Sequence, residues 1–147
     1  MTSPADLGYH LLLDVGRLHR WASHRSSFAV PAAQLRLLAL VDQLGPARVG
    51  TLAVADHSSQ PSLTAQLNKT DAAGWTTRAP DPMDARAQMV TLTATGREAL
   101  DAARRARAAV IAPVVEQLDE QGLRRLADAV AVLDDLIARL DPERTPA

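Results

Sequence analysis

Between Gly74 and Thr93 the spacing of apolar residues changes from a helical period to a period of two, and after Thr93 it changes back. "WTTRA" reads as one strand, "PDPMDAR" as a turn and "AQMVTLT" as a returning strand. In the last stretch Met89, Thr91 and Thr93 alternate with Val90 and Leu92. Most of the chain around it reads as helix, so the order is helix, helix, helix, helix, strand, strand, helix, helix. A short helix, a tight turn, a second helix and then a hairpin is the layout of a winged helix-turn-helix.

The helices have recognisable ends. The first spans about Pro4 to His24, with Leu7, Leu11, Val15, Leu18 and Ala22 at three- and four-residue steps. A second runs from about Pro31 to Gln43, closed by "LGP". A third covers about Val49 to His57. The fourth runs from Ser59 to Ala73 and stops at Gly74, with Ser59 as its N-cap and Pro61 in its first turn. Thr93 is placed to cap the fifth helix, which Pro113 should kink or interrupt, because proline removes one i to i−4 bond. Asp119 can cap the last helix. There Leu123, Leu126, Val130, Leu133, Ile137 and Leu140 form a heptad seam of the kind that faces other helices.

Composition narrows the function. The 147 residues suffice for one domain with a real core. Apolar residues make up 47% and aromatics only 3%, so Ala, Leu and Val must build that core. The absence of cysteine excludes disulfides and thiol chemistry. The N-terminus lacks a basic stretch and carries Asp6 and Asp14, and no apolar run is long enough to span a membrane, so a cytoplasmic protein without membrane contact is expected. Net charge is −1, so any nucleic-acid contact must rest on local charge.

Several stretches in order, "VGTLAVADHSSQPSLTAQL", "GW" and "DPMDARAQMVTLTATGREAL", resemble the MarR family of bacterial transcriptional regulators. Leu52-Ala53 and Ser59 to Thr64 resemble its helix-turn-helix. Asp84-x-Arg86-Ala87 followed by Leu92-Thr93-x-x-Gly96 resembles its wing and the start of its next helix. The resemblance covers nearly the whole chain. It implies a single domain over 1–147: a winged helix-turn-helix at about 31–95, dimerisation helices at about 4–26 and 94–141, and a tail at 142–147. The fold class expected is mainly α with a small two-stranded β-wing. This chain departs from the family pattern at Thr70, where a leucine is usual, and at Ala65 and Ala85, where a basic residue is frequent.

The residues at these positions suit DNA. Ser59, Gln60, Pro61, Ser62, Thr64, Ala65 and Lys69 form the expected recognition-helix surface. Gln60 can bond an adenine bidentately, Ser62 and Thr64 can reach base edges, and Pro61 and Ala65 can meet a thymine methyl. In the wing, Arg86 can enter a minor groove, with Asp84 expected to hold its guanidinium in a forked pair. Arg78, Lys69 and Arg48 are expected phosphate contacts. Yet Arg48, Lys69, Arg78 and Arg86 are matched by Asp56, Asp71, Asp81 and Asp84. That neutrality keeps open the alternative of a helical dimerisation, adaptor or ligand-binding protein with weak DNA affinity.

The first helix and the last two have apolar stripes wider than one chain can cover. A homodimer is expected through Leu7, Leu11, Leu123, Leu126, Val130, Leu133, Ile137 and Leu140, reading a pseudo-palindromic duplex. The resemblance further implies a repressor released by a small aromatic or phenolic effector, for which Tyr9, His10, Arg17, Trp21 and Phe28 are the candidates. His10 and Asp14 share a helix face, but no third or fourth ligand follows at compact spacing, so no metal or cofactor is expected. No nucleophile-base pair, phosphate loop or carboxylate pair points to an enzyme.

Overall fold

In a computed structural model, residues 3–140 are described. The expected tail at 142–147 and residue 141 lie outside them. The first helix, α1 (Pro4–Arg25), opens on a capping box: Ser3 Oγ accepts the Asp6 N–H at 3.1 Å, and Asp6 Oδ2 accepts the Ser3 N–H at 3.2 Å. Then follow α2 (Ala32–Leu44), β1 (Ala47–Arg48), α3 (Val49–Ala55), α4 (Gln60–Ala72), β2 (Thr76–Asp81), β3 (Asp84–Leu92), α5 (Ala94–Val115) and α6 (Glu120–Leu140). The chain forms two compact units, residues 1–110 and 111–147.

In the first unit α2 is apolar on two sides. Leu37 and Val41 join Ala47, Leu52, Ala53, Leu63, Leu67 and Val90 in one cluster. Leu35 and Leu38 join Val30, Leu100 and Ala103 in another, with Phe28 and Trp75 packed against it. The first cluster seats the helix-turn-helix. Leu63 and Leu67, one turn apart on α4, are 2% and 0% exposed, and each such leucine contributes about 2–3 kcal/mol by burial. This anchors one face of α4 and leaves the opposite face exposed.

The hairpin differs from the expected two-stranded wing in having a third strand. The order is β1-β3-β2, with Ala47 opposite Val90 and Arg48 opposite Met89. A two-residue strand shows no period of its own, which is why the sequence pattern does not reveal it. The turn is also tighter than "PDPMDAR": β2 reaches Asp81 and β3 begins at Asp84, with an irregularity between Pro80 and Asp81.

Both ends of the hairpin are fixed on helices. Gly74 has φ +73°, the left-handed region glycine tolerates, and its N–H reaches Asp71 O at 2.9 Å as α4 ends. Thr93 caps α5, accepting the Gly96 N–H at 3.0 Å while donating to Gly74 O at 2.5 Å. Gly96 lies so close to the Trp75 carbonyl that a Cβ there would collide with backbone. Asp42 of α2, 14% exposed, accepts Arg97 at 2.7 Å and Arg104 at 2.8 Å from α5. Partial burial pushes its carboxyl up, but the Arg104 and Arg97 bonds outweigh that and hold it below its ordinary value.

Pro113 does not interrupt α5 as expected. The helix runs through it and ends two residues later. Ala109, whose carbonyl loses its helical donor, is exposed and can be hydrated. In the second unit Asp119 caps α6 as expected, its Oδ1 accepting the Gly122 N–H at 2.7 Å.

Candidate nucleic-acid interface

Four residues, Asp56 to Ser59, join α3 to α4. His57 takes φ +53°, so the chain reverses without glycine, and its N–H reaches Val54 O at 3.1 Å. Ser59 then caps α4, its Oγ accepting the Ser62 N–H at 3.3 Å. Gln60, Pro61, Ser62, Ala65 and Lys69 are exposed and Thr64 is half-buried. This is the outward face that burial of Leu63 and Leu67 dictates. Beside it lies an open groove of about 550 Å³ lined by Arg48, Val49, Gly50, Thr51, Gln60, Thr64, Arg86, Ala87 and Gln88. It brings together the start of α3, the start of α4 and the returning wing strand.

Gly50 has a specific part in that groove. A Cβ there would come within 2.9 Å of Gln60 Nε2, so the missing side chain leaves room for Gln60 to lie across α3. Gly50, Thr51 and Gln88 are not singled out by spacing in the sequence. Only the packing of α3 against α4 and β3 brings them to the groove.

The wing corrects one expectation. Asp84 does not fork with the Arg86 guanidinium; its Oδ1 accepts the Arg86 backbone N–H at 3.1 Å. At a spacing of two residues, that short local bond is within easier reach than the guanidinium. Arg86 is left exposed and unpaired among the described residues. Arg78 is drawn toward α4: its Nε stands 2.7 Å from Asp71 Oδ2 and its Nη2 donates to Asn68 Oδ1 at 2.6 Å. Arg48 is likewise drawn in, with Nε and Nη2 both 2.5 Å from Asp81 Oδ2.

Asp81 also accepts the Met83 N–H on Oδ1 at 2.8 Å, closing the wing tip. That backbone bond first, and the Arg48 guanidinium with it, hold its carboxyl below the ordinary value against burial. The Asp-Pro pair in "PDP" is a turn signal that marks such a carboxylate. Its pairing with Arg48 has no local signal, because β1 comes from far away in sequence.

Thr70, the departure from the family pattern, is fully buried. Its Oγ1 lies 3.0 Å from Leu67 O and 2.7 Å from Thr76 Oγ1. Thr76 gives its own proton to Asp71 Oδ1, which can only accept, so the single Thr70 proton is shared between Leu67 O and Thr76 Oγ1. A hydroxyl chain thus ties the end of α4 to β2 where a leucine would pack by shape alone.

The candidate effector residues have separate contacts. Tyr9 sits edge-on to His10, their ring centroids 5.5 Å apart. Arg17 lies 3.9 Å from Asp14, Trp21 lies under Arg25, and Phe28 lies under Arg107 against the core. None of them lines the groove beside α4. The candidate interface leucines are uncovered: Leu7 is 60% exposed, Leu140 85%, and no described residue of α6 is buried. Leu123, Leu126, Val130 and Ile137 are also exposed, and Leu11 and Leu133 are half-buried. No helix among the described residues is long and apolar enough to cross a membrane.

Fold and groove together define a winged helix-turn-helix protein. Known proteins agree. The MarR family profile matches residues 30–87. The HTH-type transcriptional regulator MT0903.1 of Mycobacterium tuberculosis is 33% identical over 139 residues, covering 92% of this chain and 97% of the relative. The crystal structure of a transcriptional regulator protein from Pseudomonas aeruginosa matches with TM-score 0.76 and 26% identity, covering 90% of this chain and 94% of that one. A variant of S. aureus MepR bound to an oligodeoxyribonucleotide shares the fold, with TM-score 0.60 and 18% identity over 88% of this chain and 97% of that one. The chain belongs to the MarR family of transcriptional regulators.

Proposed function

We propose that this chain is a homodimeric, sequence-specific DNA-binding repressor whose hold on DNA is relieved by a small aromatic or phenolic ligand. The observation that carries the reading is the groove in which Gln60 and Thr64 of α4 meet Arg86 of the wing. In a duplex, α4 would lie in the major groove with Gln60, Ser62 and Thr64 toward base edges, while Arg86 reached the adjacent minor groove. The DNA-bound MepR variant supports this use of the shared fold. Helices α1, α5 and α6, at about 4–26 and 94–141, would form the dimer, because the exposed leucines of α1 and α6, and Val114 of α5, are left uncovered by the described residues. Two copies of α4 would then meet half-sites roughly 34 Å apart.

The test is a gel shift with DNA from upstream of the chain's own gene and with duplexes selected from a random pool. One dimer per pseudo-palindromic site, weakening with salt, is the expected result. A phenolic acid should shift the titration to higher protein concentration. Failure to bind any duplex would leave the adaptor reading in its place.

A further inference from the structure

The face that would meet DNA carries four basic side chains, and the fold treats them in two ways. Arg48 and Arg78 are each paired with an aspartate from within the same unit: Arg48 with Asp81, which is 7% exposed, and Arg78 with Asp71. Lys69 and Arg86 are exposed and form no ion pair among the described residues. The Arg48 pair is well made, because two of its nitrogens share one Asp81 oxygen while the other oxygen is fixed by the Met83 N–H. Asp81 therefore cannot swing away without opening the wing tip.

We propose that Asp81 is a specificity-determining counterion, which with Asp71 withholds Arg48 and Arg78 from the phosphates, so that this protein limits its non-specific grip on DNA and relies on groove contacts for affinity. The inference rests on the DNA-binding reading above. A guanidinium already neutralised inside the protein releases no net counterion when it nears a phosphate. The cations that count are then Lys69 and Arg86, two in each subunit and four in the dimer, and Asp84 beside Arg86 can only reduce their effect.

The consequence is a shallow salt dependence. Four neutralised phosphates give a log-log slope of about −3.6, and all eight basic side chains of a dimer would give about −7. Between 50 and 200 mM salt the wild-type dimer should lose about 150-fold in affinity for a random duplex, against about 20,000-fold if every cation counted. Replacing Asp81 with Asn keeps an oxygen for the Met83 N–H and removes the charge. Asp81→Asn should bind a random duplex more tightly at low salt and lose about 1,800-fold over the same range, a slope near −5.4.

The experiment is fluorescence anisotropy of the full-length wild type and Asp81→Asn on random and selected duplexes, across that salt range, with thermal melts to check that the variant is folded. A wild-type slope no steeper than about −3.6, and a steeper slope with a smaller preference for the selected duplex in Asp81→Asn, is the expected result. A wild-type slope near −7 overturns the inference whether or not the variant folds, and leaves DNA binding intact. An unchanged slope in a folded Asp81→Asn overturns it as well. Absence of binding by both proteins at low salt would overturn the DNA-binding reading and this inference with it.

Discussion

Gly96→Ala sets helix propensity against packing, and the two predict opposite signs. Gly96 lies in the first turn of α5, where alanine is the better helix former by up to about 1 kcal/mol. Against that, the new Cβ would run into the backbone carbonyl of Trp75. That carbonyl cannot step aside freely, because it also accepts the Thr93 N–H at 3.0 Å. Relieving the clash means sliding α5 away from the hairpin, and overpacking of this kind costs about 1–3 kcal/mol or more. Here the upper end applies, since both contacting groups are backbone. The net loss should be about 2 kcal/mol, which lowers Tm by roughly 4–8 °C for a chain of this size. Gly8→Ala is the control: nothing lies within 4 Å of a Cβ there, and the site is in α1, so it should stabilise by about 0.5–1 kcal/mol. Melts of both variants at one protein concentration decide the matter. A Gly96→Ala protein as stable as wild type would show that the close approach of α5 to Trp75 is not real.

Other expectations follow from the same contacts. Thr70→Val keeps the shape but breaks the hydroxyl chain from Leu67 to Thr76, and should cost about 1–2 kcal/mol in urea unfolding; a neutral result would mean the hydroxyl adds nothing over a methyl. Asp42→Asn should cost about 1–2 kcal/mol at neutral pH through its bonds to Arg97 and Arg104. Because the folded Asp42 carboxyl is held below its ordinary 3.8, its contribution is present above that value and is lost as pH falls through the lowered one. Asp42→Asn should therefore flatten that part of the acid unfolding curve, and an unaltered curve would count against the clamp. Ile137→Asp, on the exposed seam of α6, should convert a dimer to monomer in sedimentation, with little effect on the helix-turn-helix. A dimer unaffected by it would move the interface elsewhere.

The parts that were legible from sequence are those written by local rules. The switch of period at Gly74 and Thr93 locates the hairpin, and Ser59, Gly74, Thr93 and Asp119 mark helix ends where the structure has them. The exposed face of α4 follows from Leu63 and Leu67 alone. What was not legible depends on residues distant in the chain. β1 is too short to carry a pattern, and it exists because β3 offers it an edge. Thr70 reads as a weak core residue until Thr76 is folded over it. Asp81 and Asp71 read as charges that offset the basic residues between Arg48 and Arg86, and their partners Arg48 and Arg78 become known only when β1 and β2 are in place. Pro113 reads as a kink or an interruption, and the helix continues through it because the neighbouring backbone is exposed.

In the proposed function, α4 and the wing read DNA through the groove that joins them. Its most direct test is the affinity of Gln60→Ala and Arg86→Ala for a duplex selected by the wild type, measured beside a random duplex at fixed salt. Gln60→Ala should weaken the selected duplex by about 5- to 150-fold, the worth of one base contact of about 1–3 kcal/mol, and leave the random duplex nearly unchanged. Arg86→Ala should weaken both and make the salt slope shallower. Wild-type affinity in both variants, with the wild type itself bound to DNA, would contradict it.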